Sequence, residues 1–409
     1  MLIQNRLKYQ NEILFCVINK KKLKMSANNQ DGCLGANLTG IELENILEKF
    51  LESNLLLENS TGKRPTPICI WGTHGLGKTQ IAMDIARKRN WKIAYCAPAQ
   101  FEEMGDLHGL PQKYDPDPNV SGDERTVYMA PDWVPKDEGP GILLLDDINR
   151  ADDRILRGTM QLLQNFEMFS WSLPKKWQII ATANPDSGDY SVTPMDDAML
   201  TRMMHLTLNF DSKSWAEWAL NAGIDSRGID FVLTYPESIT GRRTTPRSLE
   251  QFFNQIKYIN DLNEAIDLVS VIASGCLDEE TVGSFIAFIK NSLSKIPNAL
   301  DILNAEKTSE INSIIKNLAN DNNGVKRLDL LSTFSTRLEM ELRNPKYNPV
   351  ENSGKNLIEY LLCDHIPGDL KFSIHRNLSV ISNMNLPGSL IAEIACKDSK
   401  VAQEVLKML

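Results

Sequence analysis

Apolar positions along this chain follow two patterns, and the change between them falls near residue 212. Before it come short apolar runs at 68–71 (Ile-Cys-Ile-Trp), 142–145 (Ile-Leu-Leu-Leu) and 177–183 (Trp-Gln-Ile-Ile-Ala-Thr-Ala). Such runs, bounded by turn residues, predict strands buried on both faces, as in a parallel sheet. A further strand is expected at 91–96, with helices at 79–90 and 151–165. Strands alternating with helices predict parallel pairing and right-handed crossovers. Upstream, Thr39 and Glu42 have the spacing of a capping box, and apolar residues at 41, 43, 46–47, 50–51 and 55–57 predict a helix. Ser60-Thr61-Gly62-Lys63-Arg64-Pro65 ends it. Residues 166–176 alternate and suit a hairpin, while Asp115-Pro116-Asp117-Pro118-Asn119 reads as a loop tolerant of insertion. After residue 212 helices are expected at 215–221, 246–259, 265–273, 280–296, 306–318, 325–343, 356–362 and 387–409, with no repeat of fixed period.

The first apolar run leads into Gly72-Thr73-His74-Gly75-Leu76-Gly77-Lys78-Thr79, and a helix is expected from about Lys78. Glycines let backbone approach a phosphate and adopt positive φ. Backbone N–H groups and the positive end of the next helix then face the anion. In this spacing Lys78 reaches the β- and γ-phosphates and the Thr79 hydroxyl holds Mg²⁺. The alternative is a plain glycine turn before an ordinary helix.

Composition adds limits. The chain has 409 residues, enough for two or three domains, and its 42% hydrophobic and 24% charged residues are those of a soluble globular protein. A formal charge of −9 argues against bulk polyanion binding, although a local basic groove remains compatible with it. Seven scattered cysteines without C-x-x-C spacing indicate reduced thiols and a cytoplasmic setting. Of the five histidines, His74 lies in the glycine loop, and His108 and His205 read as structural. No apolar run approaches the ~18 residues of a membrane span. Residues 1–24 carry Arg6, Lys8, Lys20, Lys21, Lys22 and Lys24 against Glu12 alone, and Met25 opens a second start-like stretch. A flexible extension is expected there.

Two acids, Asp146 and Asp147, close the run at 142–145. The first can bind Mg²⁺ through water and the second can orient a water for in-line attack on a γ-phosphate; otherwise they simply end a strand. Asn184 follows the run at 177–183 and either holds the same water or forms a turn before Pro185. Arg202 and Arg247 are candidate clamps for phosphoryl charge, or else solvated surface residues.

Together these segments resemble the AAA+ ATPases, within them the MoxR/dynein-related branch. The loop at 72–79 is similar to Walker A, and Leu144-Leu145-Asp146-Asp147-Ile148-Asn149-Arg150-Ala151 to the branch's Walker B. Ala181-Thr182-Ala183-Asn184-Pro185 resembles sensor 1, Asp196-Asp197-Ala198-Met199-Leu200-Thr201-Arg202 the arginine-finger segment, and Pro246-Arg247 sensor 2. Glu103-Met104-Gly105-Asp106-Leu107-His108-Gly109 resembles the branch's segment after the second strand. The likeness covers residues 40–260 in family order. It implies a P-loop AAA+ αβα sandwich around a parallel sheet at 38–211, after an extension at 1–37. A helical lid would follow at 212–275 and an α-helical C-terminal domain at 276–409. It also implies ATP and Mg²⁺ as ligands, with Thr79 and Asp146 at the metal. A homo-oligomeric ring, a hexamer, would place Arg202 and Arg150 at a neighbour's γ-phosphate. Phe101 and residues 166–171 would line a pore or pack in the core.

The second Walker B acid of the family is commonly Glu, and here it is Asp147. One methylene less shortens its reach by about 1.3–1.5 Å, and misplacement of that order can slow chemistry about 100-fold. The favoured expectation is an ATPase that remodels a protein partner, such as a von Willebrand A-domain protein. The alternatives are a nucleic-acid motor, which the negative charge weakens but Lys20–Lys24, Lys175-Lys176 and Arg242-Arg243 keep open, and an ATP-gated scaffold that hydrolyses slowly or not at all.

Overall fold

The computed structural model describes residues 33–116, 124–186, 191–239, 243–290, 296–320, 327–344 and 346–380. The chain divides into two compact units, residues 1–210 and 211–409.

The first unit is built on six strands. In chain order it runs β1 (Ala36–Leu38), α1 (Gly40–Thr61), β2 (Ile68–Trp71), α2 (Lys78–Lys88), β3 (Lys92–Cys96) and α3 (Met104–His108). There follow a hairpin of β4 (Leu110–Tyr114) and β5 (Arg125–Met129), then β6 (Gly141–Leu145), α4 (Asp153–Asn165) and a short hairpin of β7 (Glu167–Met168) and β8 (Trp171–Ser172). β9 (Trp177–Ala183), α5 (Asp197–Leu200) and β10 (Met204–Leu208) complete it. The main sheet has the order β1-β10-β2-β9-β6-β3, every pair parallel.

Period-two alternation divides each central strand between two apolar layers. Ile68 and Ile70, Ile142 and Leu144, and Ile180 face Leu43, Leu47 and Leu51 of α1 and Ala82 and Ile85 of α2. Cys69 and Trp71, Leu143 and Leu145, and Ile179 face Leu107 of α3 and Ile155, Leu156, Leu162 and Leu163 of α4. This is the expected αβα sandwich with a P-loop. Helix α1 carries the expected capping box, with Thr39 accepting from the Glu42 N–H at 3.4 Å and Glu42 accepting from the Thr39 N–H at 3.1 Å.

The extension expected to reach residue 37 ends sooner, because Ala36–Leu38 pairs with β10. Residues 1–32, with the lysines at 20–24, lie outside the described residues, as do 117–119 of the predicted loop. That loop interrupts the β4–β5 hairpin, which the sequence did not suggest.

The second unit is helical: α6 (Ser212–Ala222), α7 (Ser226–Thr234), α8 (Pro246–Ile256), α9 (Ile266–Cys276), α10 (Glu279–Lys290), α11 (Ala299–Leu303), α12 (Thr308–Ala319), α13 (Leu328–Arg343), α14 (Ser353–Leu362) and α15 (Gly368–Val380). A lid at 212–275 and a separate domain from 276 were expected, but the core runs through that boundary. Phe285 of α10 packs edge-on to Phe231 of α7 and Phe252 of α8, with ring centres 5.0 and 4.9 Å apart. Arg337 of α13 reaches Asp230 of α7 with Nη1 2.9 and 3.0 Å from its two oxygens. The helix expected at 387–409 lies outside the described residues. Among the described residues no helix is long and apolar enough to cross a membrane.

Asp230 is 1% exposed, and burial pushes its carboxyl up to about 7 against the opposing pull of Arg337. Arg337→Ala leaves that group buried without its partner and should cost about 3–5 kcal/mol in urea unfolding. The folded carboxyl titrates above its ordinary value of 3.8. The deficit should therefore be smallest near that value and grow as pH rises through about 7.

Candidate functional site

Parallel pairing sets Trp71 beside Ala183 and Leu145 beside Ala181. The residues that follow these strands, Gly72, Asp146 and Asn184, therefore emerge side by side at the carboxyl end of the sheet, where open α/β sheets bind ligands. Gly72 cannot be replaced there. Its φ is 153°, and a Cβ would lie 2.8 Å from the Leu208 carbonyl oxygen. The loop turns on Gly77 (φ 92°), which precedes α2 and provides no side-chain cap. The first-turn N–H groups of α2 are thus left to an external acceptor. In the loop Thr73 is exposed, His74, Gly75 and Leu76 are half-buried, and Leu76 rests on the layer formed by α1 and α2.

Lys78 is 6% exposed. Its Nζ donates to the carbonyls of Gly72 (2.7 Å) and Thr73 (3.0 Å) and to Asn184 Oδ1 (3.1 Å), which uses all three of its protons. Burial pushes the ammonium down to about 8, opposed by the charges of Asp147 and Asp146. A buried cation ringed by oxygens at the mouth of a glycine loop is suited to a polyphosphate.

Asp146 is fixed on both carboxylate oxygens. Thr79 Oγ1 and Thr182 Oγ1 donate to Oδ1 at 2.6 and 2.8 Å, and the Tyr95 hydroxyl donates to Oδ2 at 3.0 Å. Its N–H donates to the Cys96 carbonyl at 2.8 Å. Partial burial, then the hydrogen bond to Asp146, push the Tyr95 hydroxyl up to about 12.

Asp147 adopts left-handed backbone (φ 48°, ψ 46°) and donates its N–H to Thr182 Oγ1 at 2.8 Å. Asn184 Nδ2 donates to its Oδ1 at 2.9 Å, and Arg150 Nη1 lies 3.7 Å from Oδ2. Asn184 is itself clamped: its N–H donates to Asn149 Oδ1 at 3.0 Å, and Asn149 Nδ2 donates to its carbonyl at 2.8 Å.

Thus Lys78, Thr79, Asp146, Asp147 and Asn184 meet in one network. Arg202 is turned elsewhere, its Nε donating to Gln164 at 3.0 Å and its Nη1 to the Ala198 carbonyl. Arg247 belongs to the second unit, as the second residue of α8, whose cap is Thr245. Of the aromatic residues proposed for pore or core, Phe166 is buried (1% exposed), Phe101 stacks on Trp133, and Phe169 is exposed. The sequence reading missed Tyr95, Thr182 and Asn149. The last two lie within motifs it quoted, but their roles depend on which strands are neighbours.

The donor set is hard. A hydroxyl and a carboxylate at 2.6 Å suit Mg²⁺ or its water shell, and the loop suits phosphate, so these residues fit a Mg²⁺–nucleotide complex.

Residues 67–203 match the family model described as AAA domain (dynein-related subfamily). Among solved structures the chain is similar to the Thermotoga maritima RuvB Holliday junction branch migration motor, at 16% identity over 77% of this chain and 94% of that chain, with TM-score 0.34. A point mutant of T. maritima RuvB is similar at 14% identity over 78% of this chain and 97% of that one, with TM-score 0.35. No match was found among curated proteins.

Thr182 is 0% exposed and serves both acids. Thr182→Val, similar in shape, removes the acceptor of the Asp147 N–H and should cost about 1–3 kcal/mol. Thr182→Ser, which keeps the hydroxyl, should cost less; equal urea midpoints for the two variants would remove this role.

Proposed function

We propose, from the AAA domain at residues 67–203, that this chain is a MoxR-like ATPase that binds ATP with Mg²⁺ and works as a homo-oligomeric ring, a hexamer, on a protein partner. The observation that carries the ATPase reading is the Thr79–Asp146 pair at 2.6 Å, beside a buried Lys78 at the mouth of the loop. Residues 72–79 would wrap the phosphates with backbone N–H groups, and Lys78 would exchange its carbonyl partners for phosphate oxygens. Thr79 and Asp146 would hold Mg²⁺, which neutralises phosphate charge when bound. Asp147 and Asn184, whose side chains hydrogen-bond at 2.9 Å, would have to part to hold and orient a water. Arg202 and Arg150 are the residues we assign to a neighbour's site, and Arg247 to the helical unit's contribution. Each would have to leave its present surroundings to act. A von Willebrand A-domain protein is the partner class the family resemblance suggests.

Two observations bear on the alternatives. Lys176 pairs with Glu138 at 2.7 Å, and Arg243 Nη2 donates to the carbonyls of Ser274 and Gly275. Basic residues so engaged give little support to a nucleic-acid motor. The tethering of Asp147 by Asn184 and Arg150 favours slow hydrolysis, and with it a nucleotide-gated scaffold as the second reading.

Lys78→Ala should weaken ATP binding by about 100-fold or more in calorimetric titration, since charge-assisted hydrogen bonds are lost. Tight binding by that variant would reject the site. Steady-state phosphate release tests the second acid: Asp147→Glu should raise turnover about tenfold through its longer reach. An Asp147→Asn protein as active as wild type would remove the residue from catalysis. Stimulation by DNA that fades between 50 and 200 mM salt would replace the protein partner with a nucleic acid.

A further inference from the structure

Of the three side chains that hold Asp146, one comes from the rim of the sheet. Thr79 and Thr182 are partly or fully buried and both donate to Oδ1. Tyr95 stands on β3, the outermost strand, and is 45% exposed. It lines an open groove of about 450 Å³ with Trp133, Val134 and Lys136, and belongs to neither apolar layer. Packing therefore gives little reason for a tyrosine at this position. Among the described residues its hydroxyl hydrogen-bonds Asp146 Oδ2, at 3.0 Å. The carbonyl of the next residue, Cys96, takes the Asp146 N–H at 2.8 Å, so a single strand edge grips both the main chain and the side chain of this acid.

The second oxygen matters because the terminal torsion of an aspartate is soft and roughly two-fold. Two hydroxyls on Oδ1 leave the carboxylate free to pivot around that oxygen. A third donor on Oδ2 removes the pivot. We propose that Tyr95 is a positioning residue for metal binding: by holding Oδ2 it presents the Oδ1 edge of Asp146, together with Thr79 Oγ1, to Mg²⁺. This rests on the reading of residues 72–79 and Asp146 as a Mg²⁺–nucleotide site. Mg²⁺ demands near-ideal octahedral geometry, whereas Ca²⁺ accepts irregular coordination. Loss of the third hydrogen bond should therefore penalise Mg²⁺ more than Ca²⁺.

The test compares wild type with Tyr95→Phe, which keeps the ring. A fluorescent, non-hydrolysable ATP analogue is titrated onto each protein in EDTA, then with increasing Mg²⁺ and, separately, Ca²⁺. Expected is a rise of about ten- to a hundredfold in the Mg²⁺ concentration for half-saturation, as for the loss of one hydrogen bond to a charged group. The change with Ca²⁺ should be smaller, the affinity in EDTA should not move, and the melting temperature should fall by only a few degrees. An unchanged Mg²⁺ requirement overturns the proposal. So does an equal weakening with Mg²⁺, Ca²⁺ and EDTA, which would make Tyr95 merely structural. Wild-type binding that ignores Mg²⁺ would instead fail the site reading itself, and this inference with it.

Discussion

The carboxylate of Asp146 is the point on which the first unit's functional end depends. It stands where β6 ends, takes hydrogen bonds from the start of α2 through Thr79, from β9 through Thr182 and from β3 through Tyr95, and anchors its own N–H on β3. A half-buried carboxylate gains from such donors, since an unpaired charge is more costly than a paired one. The same demand fixes the relative positions of four elements. The glycine loop then inherits its geometry: with α2 tied to β6 by one 2.6 Å hydrogen bond and Gly72 pressed against the Leu208 carbonyl, little freedom remains between them.

Much of this was legible in the sequence because the central strands are buried on both faces. Burial demands apolar residues at every position, so 68–71, 142–145 and 177–183 read as strands, and the observed bounds Ile68–Trp71, Gly141–Leu145 and Trp177–Ala183 follow closely. β10 and β1 were less visible. β10 contains His205, which accepts from the Trp71 indole N–H at 2.9 Å, and Thr207, which donates to the Leu34 carbonyl at 2.8 Å. Polar residues satisfied by tertiary partners break the apolar signal that would have marked the strand. β1 has three residues and one buried position, too short for any period to show. Motif spacing likewise placed Lys78, Asp146 and Asn184 at the site, but Tyr95 and Thr182 acquire their contacts only once β3, β6 and β9 lie side by side.

In the helical unit periodicity marks helices but not the faces that meet. Asp230 and Arg337 are separated by 107 residues, and neither position differs in sequence from a solvated charge. Only the fold makes them a buried pair joining α7 to α13. The phenylalanines at 231, 252, 253, 285 and 288 are similar: they pack in one core, and nothing in their spacing along the chain announces it. The expected division at residue 275 failed for that reason.

Asp147 is the residue at which backbone and chemistry constrain each other most closely. Its left-handed conformation is one that Asp accepts more readily than a longer acid does. Its N–H is held by Thr182, and its carbonyl accepts the Arg150 N–H at 2.8 Å, so the chain cannot slide forward to make up for a missing methylene. Asn184 meets the carboxylate at 2.9 Å while its other amide atom receives Lys78 at 3.1 Å. The Asn184 backbone is clamped by Asn149, so its side-chain amide is held between Lys78 and Asp147. The short acid thus lies within reach of Asn184 rather than beyond it. Lys78, Asn184 and Asp147 are thus joined in series through one side-chain amide.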